Sequence, residues 1–408
     1  MADALCPPAI AVPKPAERRA VASVHTHPAG RKRAILMTAT AANRALAAAT
    51  GLMGALSRKS AREPVRRILV VRLGNLGDIV VALPAFHALR KRFPDARMVL
   101  LTSPTLRGAP GAEEVLADDP TFDDHIVYYA DEPGRLRFLK ALCGRIRRES
   151  FDLTVMLPDD RSRFRHLAKH LALLALAGQR RFAGFRLVSP DQFRLGQVPR
   201  IMGLLEPLGI AEVEPCPWIR VSEEHRRAAI QRLLPGNGRP LVAMQCGAKR
   251  PANRWMPGRF VEVGRRLVEE HGAHILLTGG ADERPLTDEV AHGIGGHCTS
   301  LAGETSVTDL AILLEHCVLL ISNDTGTMHV AAAMGIPVVA IFSARDHPFR
   351  WYPYGPHHRV LRHDVECGPC LKDVCPLYPE PVCLSAITAE QVFNAARSIF
   401  LDWERRVR

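Results

Sequence analysis

Short apolar runs separated by polar, glycine-punctuated stretches recur along most of the chain. In the first half they fall near 67–72, 97–102, 125–130, 152–157 and 181–184. Each is four to six residues long, and those at 67–72, 97–102 and 152–157 are rich in Val, Ile, Leu and Met, which predicts strands buried on both faces. Helical periodicity fills the intervals. Residues 79–93 place Leu83, Phe86, Leu89 and Phe93 on one face, with Pro84 obliged to lie in the first turn or kink the helix. Residues 161–177 predict a second helix, with Arg161, Arg163, Arg165, His166 and Lys169 ahead of an apolar run.

The alternation resumes after Pro215 and Pro217, whose surroundings predict a linker. Strands are expected at 240–246, 273–278, 297–301, 317–322 and 337–342, with a helix at 257–271. Strands that alternate with helices imply parallel sheets. The predicted organisation is a first domain at 66–214, a second at 215–387 and a final helix at 388–408, opened by the capping box Thr388-Ala389-Glu390-Gln391. No internal repeat of the length that builds solenoids is visible.

Charge separates residues 1–65 from the rest. With 408 residues, 47% of them hydrophobic, the chain is long enough for two cored domains. Its net charge is +12, but residues 1–67 hold twelve Lys/Arg against three Asp/Glu, so the body carries only +3. That argues against a nucleic-acid-binding body and for a basic extension near an anionic membrane surface, the alternative being a solvated tail. Residues 34–57 are Ala-rich and interrupted by Asn43 and Arg44, which suits a soluble or interfacial helix better than a spanning one. The four prolines in residues 1–20 leave no signal-peptide run, and Met53 offers an alternative start.

Two stretches carry candidate chemistry. Strand Ile68–Val71 runs into Gly74-Asn75-Leu76-Gly77 and then Asp78, where a helix should begin. The glycines of this turn allow close approach of a substrate to Gly74, Asn75 and Gly77, and Asp78 suits either a general base or a helix cap. The third glycine of a dinucleotide fingerprint is missing, which weakens a nicotinamide oxidoreductase reading. The second stretch, 318–342, is strand, polar turn, Ala-rich helix, Gly, Pro and strand. Its Asp324, Thr325, Gly326 and Thr327 sit where a helix start favours an anion.

These stretches resemble the bacterial heptosyltransferases of glycosyltransferase family 9, which add heptose to the lipopolysaccharide core. Gly-x-x-Gly-Asp with Leu83-Pro84-Ala85 is similar to that family's opening. Ser322 to His329, then Ile336-Pro337-Val338-Val339-Ala340-Ile341-Phe342 and Trp351-Tyr352-Pro353-Tyr354-Gly355, continue the likeness. The resemblance covers the chain from about residue 66 onward. It implies a GT-B fold of two Rossmann-like domains facing across a cleft. It further implies inverting, metal-independent transfer from ADP-heptose at the cytoplasmic face of the inner membrane. The family's base falls on Asp78 and its sugar- and phosphate-contacting motif on Asp324, Thr325, Gly326 and His329. The family's Lys before Trp-Pro is replaced by Arg254 before Trp255-Met256-Pro257. Arginine binds phosphate in a two-pronged manner, so Arg254 and Lys249 join Thr325, Thr327 and the Gly326 amide as candidate diphosphate ligands.

Three readings stay open at this level. Gly279-Gly280-Ala281-Asp282-Glu283 is either an acid-rich helix start or a nucleoside contact through Glu283. His329, one turn beyond Thr325, is either site-facing or structural. Cys367, Cys370, Cys375 and Cys383, spaced C-x2-C-x4-C-x7-C, suit a structural Zn or Fe ion, the alternatives being reduced thiols or a disulfide pair. Similar clusters occur in some heptosyltransferase relatives, including iron-holding ones that modify proteins. The other six cysteines (Cys6, Cys143, Cys216, Cys246, Cys298 and Cys317) are scattered. Transfer to a protein acceptor, and a non-catalytic sugar-nucleotide-binding module, are the competing functions. Retention of Asp78 with Asp324-Thr325-Gly326 argues against the second.

Overall fold

Ile68–Val71 form the middle of a parallel sheet in the computed structural model, with side chains no more than 6% exposed. The structure describes residues 64–104, 107–129, 135–158, 164–184, 195–214 and 216–407. They fall into two compact units, one comprising Glu113–Asp119 and everything from Cys216, the other the remainder.

The first sheet contains β1 (Arg67–Val71), β2 (Arg97–Thr102), β3 (Asp124–Val127), β4 (Leu153–Met156) and β5 (Phe182–Ala183), in the order β3-β2-β1-β4-β5. Every pairing is parallel; Val71 stands opposite Leu101 on one side and Met156 on the other. An apolar run without alternation is what a strand covered on both faces requires. The single helix expected at 79–93 is instead two, Leu76–Val80 and Leu83–Arg92. Pro84 lies in the first turn of the second, where its missing N–H costs nothing, and the break falls at Val81-Ala82. Of the helix expected at 161–177, Phe164–Leu176 is described.

The second sheet has β6 (Leu241–Gln245), β7 (His274–Leu277), β8 (Cys298–Ser300), β9 (Cys317–Asn323), β10 (Val338–Phe342) and β11 (Arg359–Arg362), in the order β11-β10-β9-β6-β7-β8, all parallel. The helix Pro257–His271 has the expected bounds. The expected linker after Pro217 soon becomes the helix Glu223–Leu233, capped by Ser222, whose hydroxyl accepts from the His225 N–H. The last helix, Ala389–Val407, opens with the expected capping box: the Thr388 N–H donates to Gln391 Oε1 (2.9 Å) and the Gln391 N–H to Thr388 Oγ1 (3.2 Å). It packs on the helix Pro257–His271 and on β9, burying Val392, Phe393, Ala396 and Phe400, and so belongs to the second unit.

Candidate functional site

The strand orders locate the sites. In the first sheet the chain runs outward from β1 through β2 and β3, then returns to β4 on the other side of β1. In the second it runs from β6 through β7 and β8, then returns to β9 beside β6. Such reversals open a crevice at the carboxyl ends of the central strands, where α/β sheets bind ligands. The turn Gly74–Asp78 follows β1, and Gly247 and Asp324 follow β6 and β9.

In the first unit Asp78 sits in a tightly specified turn. Its Oδ2 accepts the Asn75 N–H at 3.1 Å, so Asp78 acts as the third residue of a capping box. Gly74 has φ of +143°, and a Cβ there would lie 2.4 Å from the Asp78 Cβ and 2.6 Å from its Oδ2. Glycine is therefore required twice, by conformation and by the carboxylate lying against it. Arg72, fully buried, carries no sequence signal, because it follows the strand as an ordinary polar terminus. Its Nε and Nη2 donate to the Asp78 carbonyl (3.0 and 2.8 Å), and its Nη1 donates to the carbonyls of Leu157 (3.1 Å) and Pro158 (3.3 Å) beyond β4. One guanidinium thus ties both lips of the crevice, 3.8 Å from Asp78 Oδ1. The cap and the chemical candidate are the same carboxylate.

In the second unit three buried amides organise the strand ends. Asn323 accepts the Trp255 N–H at 3.1 Å and donates to the carbonyl of Cys246 at 2.7 Å, pinning the loop after β6 to the end of β9. Asn253 accepts from Ser343 Oγ (2.8 Å) and donates to Asp324 Oδ2 (3.0 Å). Gln245 donates to Glu283 Oε2 at 2.9 Å. Glu283 lies over a glycine floor: a Cβ on Gly247 would stand 1.9 Å from its Oε1, and one on Gly279 2.9 Å from its Oε2. Thr325 is the N-cap of the helix Gly326–Ala333, whose first N–H groups have no partner within the helix. Lys249 is exposed on the loop after β6. Arg254 is turned to that loop's backbone, its Nε donating to the Ala248 carbonyl at 2.8 Å.

Electrostatics distinguish these groups. Solvent reaches part of Asp324, but surrounding protein and the Asp346 carboxylate push its pKa up to about 6, against the opposing pull of Arg250 and Arg345. Asp346 and its partners Arg345 (3.7 Å) and Arg350 (2.8 Å) are nearly inaccessible. None of the three carried a sequence signal, since they lie in a loop after β10. His329 is buried against Trp351, with ring centroids 5.8 Å apart. Burial, then His358, lowers its pKa to about 4, so it is neutral near pH 7 and brings no positive charge to a phosphate.

Asp324 makes a stability prediction. Its pKa is raised above the ordinary 3.8, so between about pH 4 and 6 the folded chain holds more protons than the unfolded one. Its contribution therefore becomes less favourable as pH rises through that window. Asp324→Asn retains an acceptor for Asn253 without the buried charge. Thermal melts should show the variant gaining on wild type between pH about 4.5 and about 7.5, by on the order of 1 kcal/mol after allowance for partial exposure. A pH-independent difference would contradict this environment for Asp324.

The four late cysteines are neighbours. Burial raises the Cys383 pKa, and the thiols of Cys375, Cys367 and Cys370 add to the effect. All four are unbridged, and Cys367 is exposed. Among the described residues no three His, Cys, Asp or Glu side chains are arranged to hold a metal, so the thiols are gathered without forming a ligand cage.

Two parallel-sheet domains, each with a polar site at its strand reversal, make this a GT-B-type α/β protein. The family model for glycosyltransferase family 9 (heptosyltransferase) matches residues 141–379. Lipopolysaccharide heptosyltransferase 3 of Escherichia coli K12 is 27% identical over 295 residues, covering 68% of this chain and 82% of that protein. Lipopolysaccharide heptosyltransferase 2 of the same organism is 25% identical over 367 residues, covering 83% and 99%. The solved E. coli ADP-heptose lps heptosyltransferase II superposes with a TM-score of 0.63 at 22% identity, covering 83% of this chain and 99% of that one. A family 9 glycosyltransferase structure from Veillonella parvula gives 0.66, also at 22% identity, covering 83% and 97%. The chain belongs to glycosyltransferase family 9, the heptosyltransferases, and is an enzyme.

Proposed function

We propose that the chain is an inverting heptosyltransferase that moves heptose from ADP-heptose to a lipopolysaccharide inner-core acceptor. The observation that carries this reading is the contrast between the two strand-reversal sites. One offers a single fixed carboxylate, Asp78, and the other offers two fixed carboxylates beside a helix start. The names of the curated relatives support the acceptor and that of the solved E. coli enzyme the donor.

In this mechanism Asp78 takes the proton of the acceptor hydroxyl as that oxygen attacks the anomeric carbon. The bond from the anomeric carbon to the diphosphate breaks on the opposite face, ADP departs with the electron pair, and the configuration inverts. The turn Thr325-Gly326-Thr327 and Lys249 meet the charge that grows on the leaving diphosphate. Glu283 and Asp324 accept hydrogen bonds from ligand hydroxyls. Arg254 acts on the diphosphate through the loop it supports at Ala248, and neutral His329 shapes the wall behind the helix. Incubation with ADP-heptose and competing nucleotide sugars, with the anomeric configuration of the product read by NMR, tests donor and stereochemistry together. Retention of configuration, or preference for another nucleotide, would contradict the reading.

Two further parts belong to this proposal. Every residue given a chemical role acts without a metal, so chelator-treated enzyme should keep its rate. A loss reversed by Mg2+ or Mn2+ would overturn that. About one Zn or Fe per chain in anaerobically prepared protein, released with a drop in thermal stability in Cys370→Ser, would mark the four thiols as a structural site; free thiols without metal would make them reduced cysteines. Residues 1–63 lie outside the described residues, and no described helix is long and apolar enough to cross a membrane. We assign the basic extension a role as a tether to the anionic cytoplasmic face of the inner membrane. Deleting residues 1–60 should abolish salt-sensitive binding to anionic liposomes, and equal binding by both forms would refute the tether.

A further inference from the structure

Gln245 is the only polar residue of β6, following Leu241–Met244, and it is 3% exposed at the strand's carboxyl end. A buried amide is costly unless its hydrogen bonds are met, and here they are met in one orientation. Nε2 donates to Glu283 Oε2 at 2.9 Å, while Oε1 accepts from the hydroxyls of Thr278 (3.0 Å) and Thr327 (3.3 Å). Rotating the amide would face its oxygen to a carboxylate, which as an ion has no proton to give. Glu283 lies over Gly247 and Gly279, whose missing side chains give it room but no walls. Its direction therefore rests on hydrogen bonds to Oε2, from Gln245 and from the Gly280 N–H at 3.1 Å.

We infer that Gln245 is a positioning residue of the donor site. It joins Glu283, beyond β7, to Thr327, in the first turn of the helix beyond β9, across the strand reversal. It holds Glu283 Oε1 over Gly247 as an acceptor for a hydroxyl of the nucleotide sugar. A nearby Asn253 does the same for Asp324, which marks the arrangement as a way of orienting acceptors. The inference rests on the donor-site reading above.

Titration of full-length protein with ADP by calorimetry, together with donor KM and kcat, tests it. Gln245→Glu keeps the size and the threonine contacts but sets one carboxylate against another. Its ADP Kd and donor KM should rise about tenfold at pH about 8, with kcat within about twofold of wild type. Relative to wild type, the defect should shrink at pH about 6, because one proton shared by the two carboxylates restores the bond. Gln245→Met, of similar volume, should show a comparable loss that does not change with pH. Wild-type ADP affinity in both folded variants would overturn the inference alone, as would a Gln245→Glu defect that ignores pH. Failure of the wild-type protein to bind ADP would overturn the donor-site reading and this inference with it.

Discussion

Asp78→Asn should lower the rate of sugar transfer by about two to four orders of magnitude while leaving ADP affinity within roughly twofold of wild type. The substitution separates the two duties of this side chain. Asparagine still presents an oxygen to the Asn75 N–H, so the cap, the turn and the contact with Gly74 survive. What disappears is a group able to take a proton from the acceptor hydroxyl. Arg72 should stay in place, because its strongest bonds go to backbone carbonyls rather than to the carboxylate. Transfer rate and ADP titration on the same preparation check the result. Near-wild-type turnover would make Asp78 a helix cap and no more, and a parallel loss of ADP binding would point to wider damage.

Gly247→Ala should damage donor binding more than folding. The new Cβ would overlap Glu283 Oε1 at 1.9 Å and the carboxyl carbon at 2.2 Å, so Glu283 must swing off its glycine floor. Because the obstacle is the end of a flexible side chain, the fold gives way cheaply, at a cost of about 1 kcal/mol or less. The movement breaks the bonds from Gln245 and Gly280 and misplaces the acceptor. Loss of a charged hydrogen bond on the scale of about 1.5–3 kcal/mol corresponds to an ADP affinity lower by roughly ten- to a hundredfold. Gly258, where an added Cβ meets nothing within 4 Å, is the control: Gly258→Ala should bind ADP as wild type does. Equal affinity in the Gly247 and Gly258 variants would remove Glu283 from the donor site.

Both site-bearing turns were legible in the sequence because the strands before them are buried on two faces and the turns are marked by glycine and a lone acid, whereas the strand order that sets them at reversals was not. Ile68–Val71 and Val318–Ile321 stand out as apolar runs, and Gly74, Gly77 and Gly326 punctuate the turns at their carboxyl ends. β11 was not legible, since Arg359–Arg362 is an edge strand with polar ends and no buried face to impose a pattern. The helix Val307–Glu315 was equally hidden: it is apolar on nearly every side, so no amphipathic period appears, although Ser306 and Asp309 announce its start. The site residues that the sequence missed share one property. Arg72, Gln245, Asn253 and Asp346 act on groups in segments distant along the chain, the first three by hydrogen bonds and Asp346 by its charge on Asp324, and no local spacing records such effects. His329 illustrates the converse: its spacing from Thr325 permitted a site-facing ring, and packing against Trp351 decided for the interior.

The central claim, heptosyl transfer from ADP-heptose, is tested most directly by product mass. Purified full-length protein should be incubated with ADP-heptose and heptose-deficient lipopolysaccharide core acceptors of increasing length. The account predicts that one acceptor gains the mass of a single heptose, with one ADP released per transfer, and that the Asp78→Asn protein releases ADP far more slowly. ADP-heptose left intact with every core acceptor, under conditions where the protein binds ADP, would contradict it.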